Sequence, residues 1–177
     1  MSLAPGTHTF GPENATLTVR TKKGGAAAKA GHDLVIEVTS WRCTLELAPE
    51  AHMSLTADPR SLRVREGTGG MMPLGDDDRA GIEQTIDEEV LKGSAIAFES
   101  SDVQAGPDDK TLDVSGELQL AGVARPISFE LTVDDGRLTG SATVKQTDGG
   151  MKPYSALFGT LKVLDEVQVA IEATLPS

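Results

Sequence analysis

The chain has a single cysteine, three histidines, few aromatic residues, a deficit of positive charge and no long apolar run, and each shortage removes a class of function. Cys43 alone forms no internal disulfide, and zinc sites made of four cysteines, or of two cysteines with two histidines, cannot be assembled. Four Phe, one Trp and one Tyr leave almost nothing on which bases or sugars could stack. With 16 Lys+Arg against 27 Asp+Glu the net charge is −11, which works against a nucleic-acid backbone and against an anionic membrane surface. No stretch approaches the roughly 18 apolar residues of a membrane span, and the N-terminal residues hold no apolar run of signal-peptide length. These absences lead to the expectation of a soluble, cytoplasmic protein with no nucleic-acid partner and no stable membrane association.

What is present is alternation. A length of 177 residues suits one domain, residues 1–177, and an apolar content of 38% makes its core aliphatic. Leu112, Val114, Leu118 and Leu120 share one parity; so do Ile127, Phe129, Leu131 and Val133, then Leu138, Ala142 and Val144, and finally Val167, Val169, Ile171, Ala173 and Leu175. Polar residues take the intervening positions, the pattern of strands with one face in a core and one in water. Turn signals separate them: Gly106-Pro107-Asp108-Asp109, Gly122 with Pro126, Asp135-Gly136 and Asp148-Gly149-Gly150. Such short connections imply an antiparallel meander.

The N-terminal half repeats the theme. Leu17 and Val19 start one strand; Leu34, Ile36 and Val38 make another, and Trp41, Cys43, Leu45 and Leu47 continue it with reversed parity, which calls for a bulge, bend or turn near Thr39-Ser40. Met53, Leu55 and Ala57, then Leu62 and Val64, give a further strand or pair, and residues 95–98 one more. Ile82, Ile86 and Val90 at four-residue spacing, with Asp76-Asp77-Asp78 as N-cap candidates, predict one amphipathic helix ending near Gly93. The Gly-rich stretch of residues 65–75 before it reads as a loop, and Gly24-Gly25-Ala26-Ala27-Ala28 as a second irregular connection. About eight strands with one apolar face each could close into a barrel, which removes their edges, or stack as a two-sheet sandwich.

Chemistry is sparse. His8, His32 and His52 lie at no metal-ligand spacing, and His32 and Asp33, as neighbours on a strand, point to opposite faces. The Asp76-Asp77-Asp78 run lacks the spacing of a calcium loop and suits a helix start. Gly-x-Ser-x-Gly, P-loop and Gly-x-Gly-x-x-Gly patterns are absent. Cys43 shares the apolar parity of Trp41 and Leu45, so a buried thiol is expected rather than a nucleophile.

Residues 94–103, with Phe98-Glu99-Ser100-Ser101-Asp102-Val103, and residues 112–129, with Gly116-Glu117-Leu118-Gln119-Leu120-Ala121-Gly122-Val123-Ala124-Arg125-Pro126, resemble the YceI-like family of polyisoprenoid-binding, lipocalin-like proteins. Looser similarity continues at Phe158-Gly159 and over residues 165–175, while Thr21-Lys22-Lys23 and residues 65–75 depart from the family pattern. The resemblance implies an antiparallel up-and-down barrel, all-β and lipocalin-like, with one amphipathic helix and a long apolar tunnel for the tail of an isoprenoid lipid such as a polyprenyl phosphate or isoprenoid quinone. The expected function is non-enzymatic binding, without cofactor or metal. Leu34, Ile36, Val38, Phe98, Leu118, Leu120, Phe129, Leu131, Val169 and Ile171 are the expected lining, and Leu131→Trp is expected to weaken binding more than stability if the lumen is open there. A homodimer is among the expected partner states, and the rival readings are a closed-core structural or interaction module and an enzyme using His32 or His52.

Overall fold

The computed structural model describes residues 5–25, 32–48, 50–69, 74–107, 110–151, 155–156 and 161–175. The strands in chain order are β1 (Thr7–Phe10), β2 (Ala15–Thr21), β3 (Lys23–Gly24), β4 (Asp33–Val38), β5 (Trp41–Glu46), β6 (His52–Ala57) and β7 (Leu62–Thr68). After the helix α1 (Asp76–Thr85) come β8 (Ile96–Ala105), β9 (Thr111–Leu120), β10 (Val123–Asp134), β11 (Arg137–Lys145), β12 (Ser155–Ala156), β13 (Leu161–Val163) and β14 (Glu166–Thr174). Asp108-Asp109, Ala26-Ala27-Ala28, residues 70–73 and Phe158-Gly159 lie outside the described residues.

The main sheet is antiparallel, curled and eleven-stranded, with β12, β13 and β3 forming a small second sheet. The expected count was about eight, and the excess has a local cause. Three long passes of the chain bend midway, so β1 with β2, β4 with β5, and β6 with β7 are each one pass broken in two. Two of the bends lie side by side: the Thr39 amide donates to the Ser61 carbonyl at 2.8 Å and the Asp58 amide to the Ser40 carbonyl at 3.0 Å. Asp58 Oδ1 accepts from the Arg60 amide and Ser61 Oγ donates to the Asp58 carbonyl; in the first pass Asn14 Oδ1 accepts from the Gly11 amide. Short polar side chains thus satisfy backbone groups that the ladder drops at the corner. Each bend reverses the buried parity, from Phe10 to Ala15, Val38 to Trp41 and Ala57 to Leu62.

Consecutive passes pair in the order β6, β8, β9, β10, β11, β14, and β14 then pairs with β2, whose other edge takes β4. Counted by passes, every one has a hydrogen-bonded neighbour on both sides. Two tight turns explain part of this economy: Asp135-Gly136 and Ala121-Gly122 all adopt positive φ, between 50° and 81°, the geometry of a two-residue hairpin. The expected turn through Pro126 is therefore shorter. Pro126 sits inside β10 opposite Glu117, on the stretch that precedes the β11 pairing, where a missing N–H is tolerated.

The helix starts with the acidic run and is capped one residue before it. Gly75 is its N-cap, its amide donating to Asp78 Oδ2 at 3.0 Å, and Asp76, Asp77 and Asp78 occupy the first turn, where the positive end of the helix favours them. A π turn, Ile86–Val90, prolongs it, so Ile82, Ile86 and Val90 still pack against the core. Glu83 Oε2 accepts from the Val64 amide at 2.9 Å and so covers an edge of β7.

Candidate functional site

Exposure changes along the inward faces of β9, β10, β11 and β14, and this gradient defines the site. On β11 Leu138 is 1% exposed, whereas Ala142 and Val144 are half-buried although they keep the same parity. On β10 Val133 and Leu131 are buried and Phe129 and Ile127 half-buried; on β14 the order is Ala173 and Ile171, then Val169 and Val167; on β9 it is Val114, then Leu118 and Leu120. One end of the interior is therefore filled, by Leu45, Leu131, Leu138, Val114 and Cys43 among others. The other end holds an open cavity of about 220 Å³.

Its walls are almost wholly apolar. Leu17, Val19, Ile36 and Val38 contribute from β2 and β4, Met53, Leu55 and Ala57 from β6, Ile96 and Phe98 from β8, and Leu118, Leu120, Ile127 and Phe129 from β9 and β10. Gly140, Ala142, Val144, Val167, Val169 and Ile171 complete the ring, with Ile86, Val90 and Leu91 of the helical segment against it. Phe98 and Phe129 meet with ring centroids 5.3 Å apart at 58°, a tilted packing across β8, β9 and β10. Among the described residues, polar lining is confined to Ser141 and Gln146. Gln146 Nε2 donates to the Leu164 carbonyl at 3.1 Å, which anchors the turn after β11. Beside it Asp165 accepts from the Thr147 hydroxyl at 2.7 Å and the Thr147 amide at 2.8 Å, and these bonds hold its carboxyl below the usual aspartate range.

Of the residues that sequence parity assigned to a lining, Ile36, Val38, Phe98, Leu118, Leu120, Phe129, Val169 and Ile171 face the cavity, and Leu34 and Leu131 do not. Leu34 is buried in the core on β4, between Thr21 and Gly67 of the neighbouring strands. Leu131 is 1% exposed within the filled end. Parity says which face a side chain takes, and depth along the strand decides whether it meets a neighbour or a void. The expectation for Leu131→Trp is accordingly reversed. Forcing an indole into the filled end should lower stability by about 1–3 kcal/mol, read from urea denaturation.

The helical contribution of Ile86, Val90 and Leu91 was not assigned to the site from sequence, although the four-residue spacing marked an apolar face. Met53 and Leu55 were likewise readable as one strand face, but nothing in their pattern indicated a void.

The histidines lie apart from this cavity. His52 Nδ1 is 3.1 Å from Ser100 Oγ and its Nε2 is 3.5 Å from Glu99 Oε1, on an outer position where the imidazole is 41% exposed. Asp33, adjacent to His32, is engaged elsewhere: Oδ1 accepts from the Lys23 amide at 2.9 Å and Oδ2 faces Lys22 Nζ at 3.6 Å. Among the described residues no group of His, Cys, Asp and Glu converges to hold a metal ion, and no helix is long and apolar enough to cross a membrane. Cys43 is buried, and burial pushes its thiol up to about 12. Native protein at pH 8 should consequently resist a thiol-specific disulfide reagent and react stoichiometrically in denaturant; equal rates in both states would contradict the burial.

Comparison with known proteins places the geometry. A model of the YceI-like domain matches residues 10–175. The crystal structure of Burkholderia cenocepacia BcnA is similar with a TM-score of 0.65 at 16% identity, covering 92% of this chain and 96% of that one. A YCEI protein of Campylobacter jejuni, which crystallizes with large solvent channels, is similar with a TM-score of 0.53 at 12% identity, covering 80% and 85%. At these identities the structures speak to fold alone. A search of curated proteins finds no match to the chain.

Proposed function

The chain belongs to the YceI-like family, known for polyisoprenoid-binding barrel proteins, and from that premise we propose that residues 1–177 form one lipocalin-like barrel domain that sequesters or carries an isoprenoid-tailed lipid without catalysing a reaction. The observation that carries this reading is the 220 Å³ apolar cavity, where inward Leu, Ile, Val and Phe side chains remain partly exposed inside a folded protein. Exposed apolar surface that a fold shapes into a concavity is a binding surface. A polyprenyl phosphate or an isoprenoid quinone supplies the matching tail, and its polar group stays at the rim.

The energetics suit a carrier. Burying tail contributes about 0.8 kcal/mol per methylene relative to water, but a bilayer offers nearly the same, so the net preference between protein and membrane is small and release is easy. A net charge of −11 disfavours lingering on anionic bilayers, which makes contact during exchange brief. Placement of His52 outside the cavity supports binding over catalysis at this site.

Native mass spectrometry and organic extraction of the purified protein test the reading. A co-purifying lipid, or saturable uptake of added quinone or polyprenol, is the expected result; protein that is empty and takes up neither overturns it.

A further inference from the structure

We infer that the cavity is blind and acts as a length gauge, with Leu131 over Gly140 as its floor, so that it accepts about ten carbons of a tail and leaves any remainder outside. The inference rests on the lipid-binding reading above and adds to it a limit on the ligand.

The floor is visible in the register. Leu131 of β10 and Gly140 of β11 are cross-strand partners, and Gly140 lines the cavity while Leu131 does not. A Cβ placed on Gly140 would lie 2.5 Å from Leu131 Cδ2, so the leucine side chain occupies the space above the glycine that any other residue would fill itself. Beyond Leu131 the interior holds Leu45, Val114 and Leu138, each 1% exposed, with no volume for a chain to continue. The gauge is thus a large residue lying over a small one, at the boundary between a packed core and an open one.

Depth follows from strand geometry. From Val144 to Gly140 at the floor, β11 lines the cavity over four residues, about 13 Å along the strand and about 10 Å along a barrel axis to which strands tilt by about 40°. An extended chain of single bonds covers about 1.2 Å per bond, so this depth holds about eight to ten carbons. The volume agrees in kind: 220 Å³ falls below the roughly 300–1,000 Å³ of pockets that enclose a drug-sized ligand.

Primary n-alcohols of about six to sixteen carbons, titrated into the full chain by calorimetry, test the gauge. Affinity should rise about fourfold per methylene and then stop rising near ten carbons. Leu131→Ala lowers the floor and should move the break to chains about two methylenes longer, while Ala142→Leu, which fills the wall one inward position above Gly140, should move it to shorter ones. Circular dichroism confirms that each variant is folded, and the second keeps the test alive if the first is not. Affinity that climbs through the longest alcohol, or a break unmoved in the folded variants, overturns the gauge and leaves lipid binding standing. Failure of every alcohol and every lipid to bind overturns both.

Discussion

Gly116→Ala is expected to cost about 3 kcal/mol of stability. A Cβ at position 116 would stand 2.2 Å from the Glu99 carbonyl oxygen and 2.6 Å from Ser100 Cα. Both are backbone atoms, which cannot swing aside as a side chain does, so two paired strands must separate locally. The close approach has a cause in β8, where the register with β9 shifts between Ser100 and Asp102, a bulge that places an extra residue opposite Ser115 and Gly116. That bulge lets Phe98 and Val103, an odd number of residues apart, both point inward. Ser100 Oγ meanwhile accepts from the Met53 amide at 2.8 Å, replacing a ladder acceptor where the pairing of β6 with β8 ends. Urea denaturation followed by circular dichroism gives the loss, and a change under about 1 kcal/mol would contradict the contact. The Phe98, Ser100, Val103 and Gly116 signature thus acquires a physical meaning: it is a backbone device that aims Phe98 at the cavity.

Val169→Phe should abolish most ligand binding while leaving the fold intact. Val169 is half-buried on the cavity side of β14, with Ala142 and Val19 as its cross-strand neighbours, so the added ring has empty space to enter. Displacing about three methylenes of ligand at about 0.8 kcal/mol each amounts to about 2.4 kcal/mol, about fiftyfold in affinity. Stability should change by less than about 1 kcal/mol, because a ring that fills a void gains contacts instead of straining a packed core. Parallel titrations of a hydrophobic ligand and parallel thermal melts of wild type and variant check both halves. Unchanged affinity would place the ligand elsewhere, and a large fall in melting temperature would mean that the cavity is not open at this depth. The contrast with Leu131→Trp is informative, since the two positions share an inward parity and differ only in depth.

Much of this molecule is legible in its letters. Alternation located β9, β10, β11 and β14 and their inward faces, and Asp135-Gly136 located a hairpin, because side-chain period and positive φ are local properties. The parity reversal between Val38 and Trp41 required an interruption at Thr39-Ser40, and the structure has a bend there. Local signals could not show that two passes bend side by side, because the hydrogen bonds of that corner run between residues about twenty apart, as from Thr39 to Ser61 and from Ser61 to Ser40. Nor could they show that Asp76 to Asp78 follow the N-cap instead of forming it, a difference of one position that Gly75 decides by its extended backbone.

The sequence by itself determined the composition of the inward face: aliphatic, poor in aromatics, nearly free of polar groups, and therefore suited to a core or to an apolar ligand alike. Only the tertiary structure decided between the two, and it divided the interior, since Leu131 and Val169 carry the same parity yet one is packed and the other borders a void. The reason is physical. Alternation records the direction in which a side chain leaves its strand, whereas packing depends on what the opposite strands bring to the same depth, such as Gly140 beneath Leu131 or Ala142 beside Val169.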